Sequence, residues 1–398
     1  MNQLVSVDDK LNGKVYNYTY DAGGNLISET VTDSNGTTSN AYEYNNSNWG
    51  DVLTSYNGQS ITYDEIGNPL TYRDGMSMTW KNGRQLATLT NGDTSISYGY
   101  DSDSVRTTKT VNGVKYTYAY LNGQLLYETR GDAKFYYSYD ANGILYNVRY
   151  TLTDGGTEYS YYYTHNSRGD IVGIYNGAGE LKAHYEYDAW GNVISITDNN
   201  GNAITSPNHI GNLNPFRYRG YYQDTETGLY YLMSRYYDAV THRFINADGY
   251  FQAGTSILDG NTFAYCANNP IYSSDPTGAF WGIVAGFCSG FISDTVCQLF
   301  SGTDISEINW GSALISGLTG AALGAVDVLG IGSIAGACIK GGISFCGTFI
   351  NDTYKGEDFN LAIQDSAFNG LVSLGFSMAS PKLSGSHYNA VSYTHLTL

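Results

Sequence analysis

An aromatic residue followed by a turn-forming cluster recurs nine times, at Tyr20, Tyr44, Tyr63, Trp80, Tyr100, Tyr120, Tyr139, Tyr163 and Tyr187, at intervals of 24, 19, 17, 20, 20, 19, 24 and 24 residues. A tandem period of this length restricts the chain to repeat architectures, because no single unit can bury its apolar face alone. In Val15-Tyr16-Asn17-Tyr18-Thr19-Tyr20 the tyrosines alternate with small or polar residues, so an extended backbone puts three rings on one face. Asp21-Ala22-Gly23-Gly24-Asn25 then supplies residues that tolerate positive φ, and Leu26-Ile27-Ser28-Glu29 resumes an extended run. Each unit reads as a β-hairpin. The alternation returns at Tyr116, Tyr118 and Tyr120, at Tyr161 and Tyr163, and at Tyr185 and Tyr187. One hairpin is marginal in water, but consecutive hairpins pair edge to edge, each aromatic cross-strand pair adding roughly 0.2–1 kcal/mol. The expectation is a mainly β protein: a long, continuous, curled antiparallel hairpin-repeat shell.

Composition sets the limits around that shell. With 398 residues, 42% hydrophobic and 14% charged, the chain can bury a core and does not fit the signature of disorder. Its formal charge of -17 argues against nucleic acid as a partner of the shell, since phosphate binding needs clustered Lys and Arg. The first 278 residues hold 36 of the 39 tyrosines, whereas the last 120 hold 18 glycines and four of the five cysteines. The division expected is a repeat shell over 1–205, a core region over 206–278 and a variable helical tail over 279–398. Met1-Asn2-Gln3-Leu4 shows neither a basic nor an apolar leader region. Either export is unconventional or the chain is an internal or C-terminal piece of a longer polypeptide.

The recurring Tyr-Asp-x-x-Gly-Asn element resembles the YD repeat of the Rhs and teneurin families. The resemblance sharpens in Asn214-Pro215-Phe216-Arg217-Tyr218-Arg219-Gly220-Tyr221-Tyr222, in Asp224-Thr225-Glu226-Thr227-Gly228-Leu229-Tyr230-Tyr231, and in Arg235-Tyr236-Tyr237-Asp238, Arg243-Phe244, Asn268-Asn269-Pro270 and Asp275-Pro276-Thr277-Gly278. This stretch is similar to the Rhs repeat-associated core domain. The resemblance implies a hollow β-cocoon plugged at one end by the core motif, in a secreted or cell-surface toxin that encloses its own C-terminal segment as cargo. It further implies an intramolecular aspartyl protease with Asp248 and Asp275 as the carboxylate pair, Arg235 as their basic partner, and a cut just beyond Gly278, around Ala279 and Phe280. Two carboxylates within about 3 Å share a proton, so one acts as base toward water while the other protonates the scissile carbonyl. A nearby guanidinium favours the ionised partner. The competing reading is that both Asp merely cap turns. The pattern is also altered: Ala239 stands where Pro is usual, His242 where Gly is usual, and Gly249 and Ala279 follow the two acids.

In the tail, Gly282, Gly286 and Gly290 are four apart, and 308–326 is an uncharged run carrying Gly317, Gly320 and Gly324. Small residues at this spacing let helices approach closely. Three readings stand: a soluble helical hairpin against the shell wall, a membrane-active segment, or a catalytic toxin. No dense His/Lys/acid cluster favours the last. The six histidines are scattered without metal-site spacing and read as solvated, and neither metal nor cofactor is expected. The second reading makes the target-cell membrane a partner of the tail, and an immunity protein is a further expected partner. A different class of function, a wall-associated adhesion scaffold that stacks sugars on Trp49, Trp80 and Trp190, remains open.

Overall fold

The computed structural model describes residues 3–248, 261–275 and 278, with single positions between 312 and 351. The chain forms two compact units, Met1–Ala247 with Phe263–Gly278, and Asp248–Thr262 with Ala279–Leu398.

In the first unit every strand pairs antiparallel with its chain neighbour, in strict sequence order. Strand Lys14–Tyr20 shows why: Tyr16 and Tyr18 are buried while the residues between them are exposed, the alternation that the tyrosine spacing dictates. The two-residue connections Asn82-Gly83, Asn112-Gly113 and Asn122-Gly123 have positive φ at both positions, which makes them hairpin turns whose twist matches the flanking strands. Outward-facing hydroxyls also pair across strands, as in Thr79 with Thr88 at 2.6 Å and Thr117 with Thr129 at 2.6 Å.

The sheet is not continuous. Six strands run from Ser6–Asp9 to Gln59–Ser60, and fourteen from Thr62–Tyr63 to Val193–Thr197. The interruption falls at Ile61, which turns its side chain inward and donates its amide to the Thr54 carbonyl at 2.9 Å. Here the preceding loop, Tyr44 to Leu53, is longer than the other turns, and register is broken rather than bulged. The run curls nonetheless: Tyr18, in the first full hairpin, meets Trp190, in one of the last, edge to face at 5.8 Å.

A third sheet comes from the core motif. Its strands are Tyr222–Gln223, Tyr230–Leu232, Arg235–Asp238 and Arg243–Phe244, all of them buried. Tyr230, Tyr237 and Phe244 share one apolar cluster with Tyr16, Tyr18, Leu86, Leu89 and Tyr98 of the repeats; Phe216 and Tyr222 share another with Phe135, Tyr137 and Tyr185. The tyrosine faces of the repeats therefore close on the core segment itself.

In the second unit the described positions 312, 315, 316 and 319, and 343, 344, 347, 348, 350 and 351, are helical. Ser312 Oγ donates to Asn351 Oδ1 at 2.7 Å, and a Cβ added to Gly347 would collide with the Thr319 side chain, so these two stretches pack at close range. The rest of the glycine-rich tail, including Ala279, Phe280 and the glycines at 282, 286 and 290, lies outside the described residues. Among those described, no helix is long and apolar enough to cross a membrane.

Candidate functional site

The segment that ends the first unit returns to the core sheet. Asp275 is buried, and its amide donates to the hydroxyl of Tyr221 at 2.8 Å, which in turn lies 3.0 Å from the hydroxyl of Tyr265. Arg235, at the start of strand Arg235–Asp238, holds its guanidinium 3.5 Å over the Phe244 ring. Its Nη2 lies 3.6 Å from Asp275 Oδ2, and its Nε donates to the carbonyl oxygen of Gly278. Packing on an aromatic face removes rotamer freedom from the guanidinium. One buried cation thus reaches both the expected acid and the carbonyl beside the expected cut.

Gly278 is held as tightly as it is contacted. Its φ is +71°, and a Cβ built there would lie 2.7 Å from the Leu232 carbonyl oxygen, 2.7 Å from Ser234 Oγ and 3.1 Å from the Arg235 amide nitrogen. Asp248 is half-buried, donates its amide to the Thr262 carbonyl at 2.9 Å, and belongs to the second unit, whereas Arg235, Asp275 and Gly278 belong to the first. The described geometry joins three of the expected site residues.

Around this site the core segment is fastened by charges that the repeat pattern alone did not reveal. Arg73 grips Asp238 in a fork, Nε to Oδ2 at 2.7 Å and Nη2 to Oδ1 at 2.8 Å. Burial by itself would raise the Asp238 carboxyl, but the Arg73 guanidinium and the hydroxyl of Thr241 hold it below the ordinary carboxylate range. Arg106 and Lys109 meet Asp224 at 2.7 and 2.9 Å, and Lys109 also meets Glu226 at 2.9 Å. Glu128, fully buried, accepts from Tyr222 at 2.6 Å and Tyr137 at 2.8 Å and pairs with Arg130.

His242 corrects its reading as a solvated histidine. It is 3% exposed, stacks on Trp190 at 4.7 Å and lies 3.8 Å from Glu29. Its φ of 60° is left-handed backbone, which explains why glycine is usual at this place in the pattern. Burial pushes the imidazole down to about 3, the nearby Asp238 opposing it, and pushes Glu29 up to about 7, while Asn40 resists. Trp190 is wholly buried, Trp49 packs on Phe263 at 5.7 Å, and the Trp80 indole donates to the Pro69 carbonyl at 2.6 Å. Of the three rings, Trp190 presents no open face, while Trp49 and Trp80 are half-buried.

A run of chain-ordered hairpins whose aromatic face closes on a charge-anchored terminal sheet defines a tandem-hairpin shell protein. The comparisons give that class its family. The RHS Repeat profile matches residues 2–38 and 165–203. The chain is 37% identical over 300 residues to the tRNA3(Ser)-specific nuclease WapA of Bacillus spizizenii, a match over 73% of this chain and 12% of that protein. It is 26% identical over 321 residues to the double-stranded DNA deaminase toxin A of Burkholderia cenocepacia, over 72% of this chain and 20% of that protein. Among solved structures, TcdB2-TccC3 without its hypervariable C-terminal region shares the fold with a TM-score of 0.53 at 21% identity, over 67% of this chain and 13% of that one. The chain is an RHS/YD-repeat protein, similar to toxins of the polymorphic kind, and it spans about an eighth of the length of the WapA relative.

Proposed function

We propose that this chain is the shell-and-core portion of a secreted or cell-surface polymorphic toxin, and that it severs its own backbone just beyond Gly278 to free the C-terminal segment it carries as cargo. The single observation that carries the reading is Arg235, which reaches both the Asp275 carboxylate and the Gly278 carbonyl from one buried position. In this reading Asp275 is the base toward water and Asp248 is the second carboxyl that the family resemblance implies. The toxins similar to this chain support a role between cells, and the acidic shell supports a protein rather than a nucleic acid as its contents.

Expression of the full chain followed by intact-mass measurement tests the cut. Two fragments dividing close to residue 278 are expected from the wild type, and a single chain from Asp275→Asn and from Asp248→Asn. A wild type that stays whole, or an Asp275→Asn chain that is still cut, would remove the protease reading.

A further inference from the structure

We propose that the cleft along strands Lys14–Tyr20, Leu26–Asp33 and Gly36–Glu43 binds an aliphatic diamine or polyamine, with one ammonium on Glu29, the methylenes on Val31 and Tyr16, and the other ammonium at Asp33. Strand Leu26–Asp33 puts Glu29, Val31 and Asp33 on one face, so an acid, an apolar residue and a second acid follow one another, the acids about 13 Å apart along the strand. Register sets Tyr16 and Thr38 on either side of Val31, and Tyr18 and Asn40 on either side of Glu29. Tyr56, Asp188 and Val240 complete the lining of this cleft of about 370 Å³. Neither Arg235 nor Asp275 takes part, so the site stands whether or not the chain cuts itself.

Two deeply buried polar groups are left open toward the cleft. Tyr16 is 7% exposed, yet its hydroxyl has no hydrogen-bond partner among the described residues. Glu29 is 4% exposed and accepts from Asn40 at 2.8 Å through Oε2, while Oε1 has only His242 Nε2 at 3.8 Å, beyond hydrogen-bond reach. A buried carboxylate oxygen without a donor costs free energy that a charged donor recovers. Asp188 adds field but no contact, because its turn takes both of its oxygens. Asp33 gives Oδ1 to the Asn35 amide at 2.7 Å and keeps Oδ2.

These groups select the ligand. Three carboxyls line the cleft against one cation, Lys14, which favours a cationic guest. No group of His, Cys, Asp and Glu among the described residues could hold a metal ion, and Val31, Val240 and the tyrosine rings give methylenes a surface. Glu29 is faced by Tyr16 and Tyr18 from one neighbouring strand, by Asn40 from the other, by Asp188 from the late turn, and by His242, backed by Asp238, from the core segment. Burial holds His242 neutral, so it does not compete with an ammonium, and burial raises Glu29 to about 7. The guest binds the ionised carboxylate, and its affinity therefore rises with pH.

Calorimetric titration of the full chain with spermidine, cadaverine, n-butylamine and acetyl-lysine amide tests the site. Saturable binding of the first two is expected, with both single-ended amines at least about tenfold weaker for want of one ion pair. Cadaverine should bind about tenfold tighter at pH 8 than at pH 6, the ratio of the ionised fractions of a group titrating near 7. Glu29→Gln keeps an acceptor for Asn40 and changes one charge in a net of -17, so its expected loss of binding separates the site from adsorption to an acidic surface. Tyr16→Phe should weaken binding at unchanged melting temperature, and Lys14→Gln should tighten it. Absence of saturable binding to the wild type, a Glu29→Gln chain that binds as the wild type does, a single-ended amine as tight as cadaverine, or an affinity that falls from pH 6 to 8 would overturn the proposal.

Discussion

At the residue scale, the YD element is a clasp built from three side chains. The Asp188 carboxylate accepts at Oδ1 from the amides of Trp190 and Asn192 and at Oδ2 from Asn192 Nδ2, at 2.8, 2.9 and 2.7 Å. Asp64 with Asn68 and Asp198 with Asn202 repeat the same set, and in Asn166 with Asp170 the acid and amide exchange places. The tyrosine before the acid ties each turn to its neighbour, since the hydroxyls of Tyr44, Tyr139 and Tyr187 donate to the carbonyls of Leu26, Leu125 and Ile171, each on the strand that follows the preceding turn. The motif is therefore a link between units as well as a turn. Its glycine is left-handed in each case, yet not all positions are equal. Gly191 has φ +95° with the Tyr218 ring 2.5 Å from where a Cβ would sit, whereas Gly201 has φ +80° and open space. Gly201→Ala should cost about 1–2 kcal/mol from backbone conformation alone, and Gly191→Ala about 2–4 kcal/mol once overpacking is added. Denaturant midpoints of the two variants check this, and equal losses would show that the ring can move aside.

At the element scale, the core sheet is held by buried charge more than by its short strands. Arg106 is wholly buried, and its guanidinium carbon lies 4.2 Å from the centre of the Tyr231 ring and 5.0 to 5.8 Å from those of Tyr98, Tyr118, Tyr222 and Tyr236. Burial would raise the Asp224 carboxyl, but Arg106 and Lys109 outweigh it and hold the group ionised below its ordinary range. Asp224→Ala leaves Arg106 without its counter-ion in a dry site and Lys109 with Glu226 alone, so a loss of about 3–5 kcal/mol is expected. Removal of the exposed Lys134–Asp154 pair by Lys134→Ala should leave the midpoint where it was. If Asp224→Ala melted like the wild type, the anchoring role would be lost. This scale also marks where the sequence stops being legible. Hairpins could be read because the tyrosine alternation and the Asn-Gly turns act within about twenty residues. The pairing of Arg106 with Asp224 spans 118 positions, and nothing local in Arg106-Thr107-Thr108-Lys109 announces it. The break at Ile61 escaped for the same reason, since it depends on where Thr54 lies in space. Of the site, residue types and the neighbourhood of Gly278 were legible from the motif; the direction of the Arg235 donor was not.

At the scale of the whole first unit, one place records how the run of repeats closes on itself. Glu29 from an early hairpin, Asp188 and Trp190 from a late turn, and His242 from the core segment meet beside a cleft of about 370 Å³ that Glu29, Asp188, Tyr16 and Tyr56 help to line. Closure buries Glu29 and His242 and leaves Asp188 half-buried beside the cleft, and burial shifts all three toward their neutral forms: Glu29 up to about 7, Asp188 up to about 6 against its turn hydrogen bonds, His242 down to about 3. The signs oppose. A carboxyl raised in the fold contributes stability that is complete below its unfolded value, about 4 for these acids, and is lost as pH rises through 6 to 7. A depressed imidazole contributes stability that is complete above about 6.5 and is lost as pH falls toward 3. Between pH 7 and 5 the two carboxyls outnumber the one imidazole, so the fold should gain stability on mild acidification and lose it below about pH 4.5. His242→Gln removes the opposing group, and its melting temperature should therefore rise more steeply than the wild type's from pH 7 to 5 and fall later on the acid side. Parallel melting curves of the two proteins across that range would refute the claim that closure of the repeats, through these buried groups, sets the acid response of the shell.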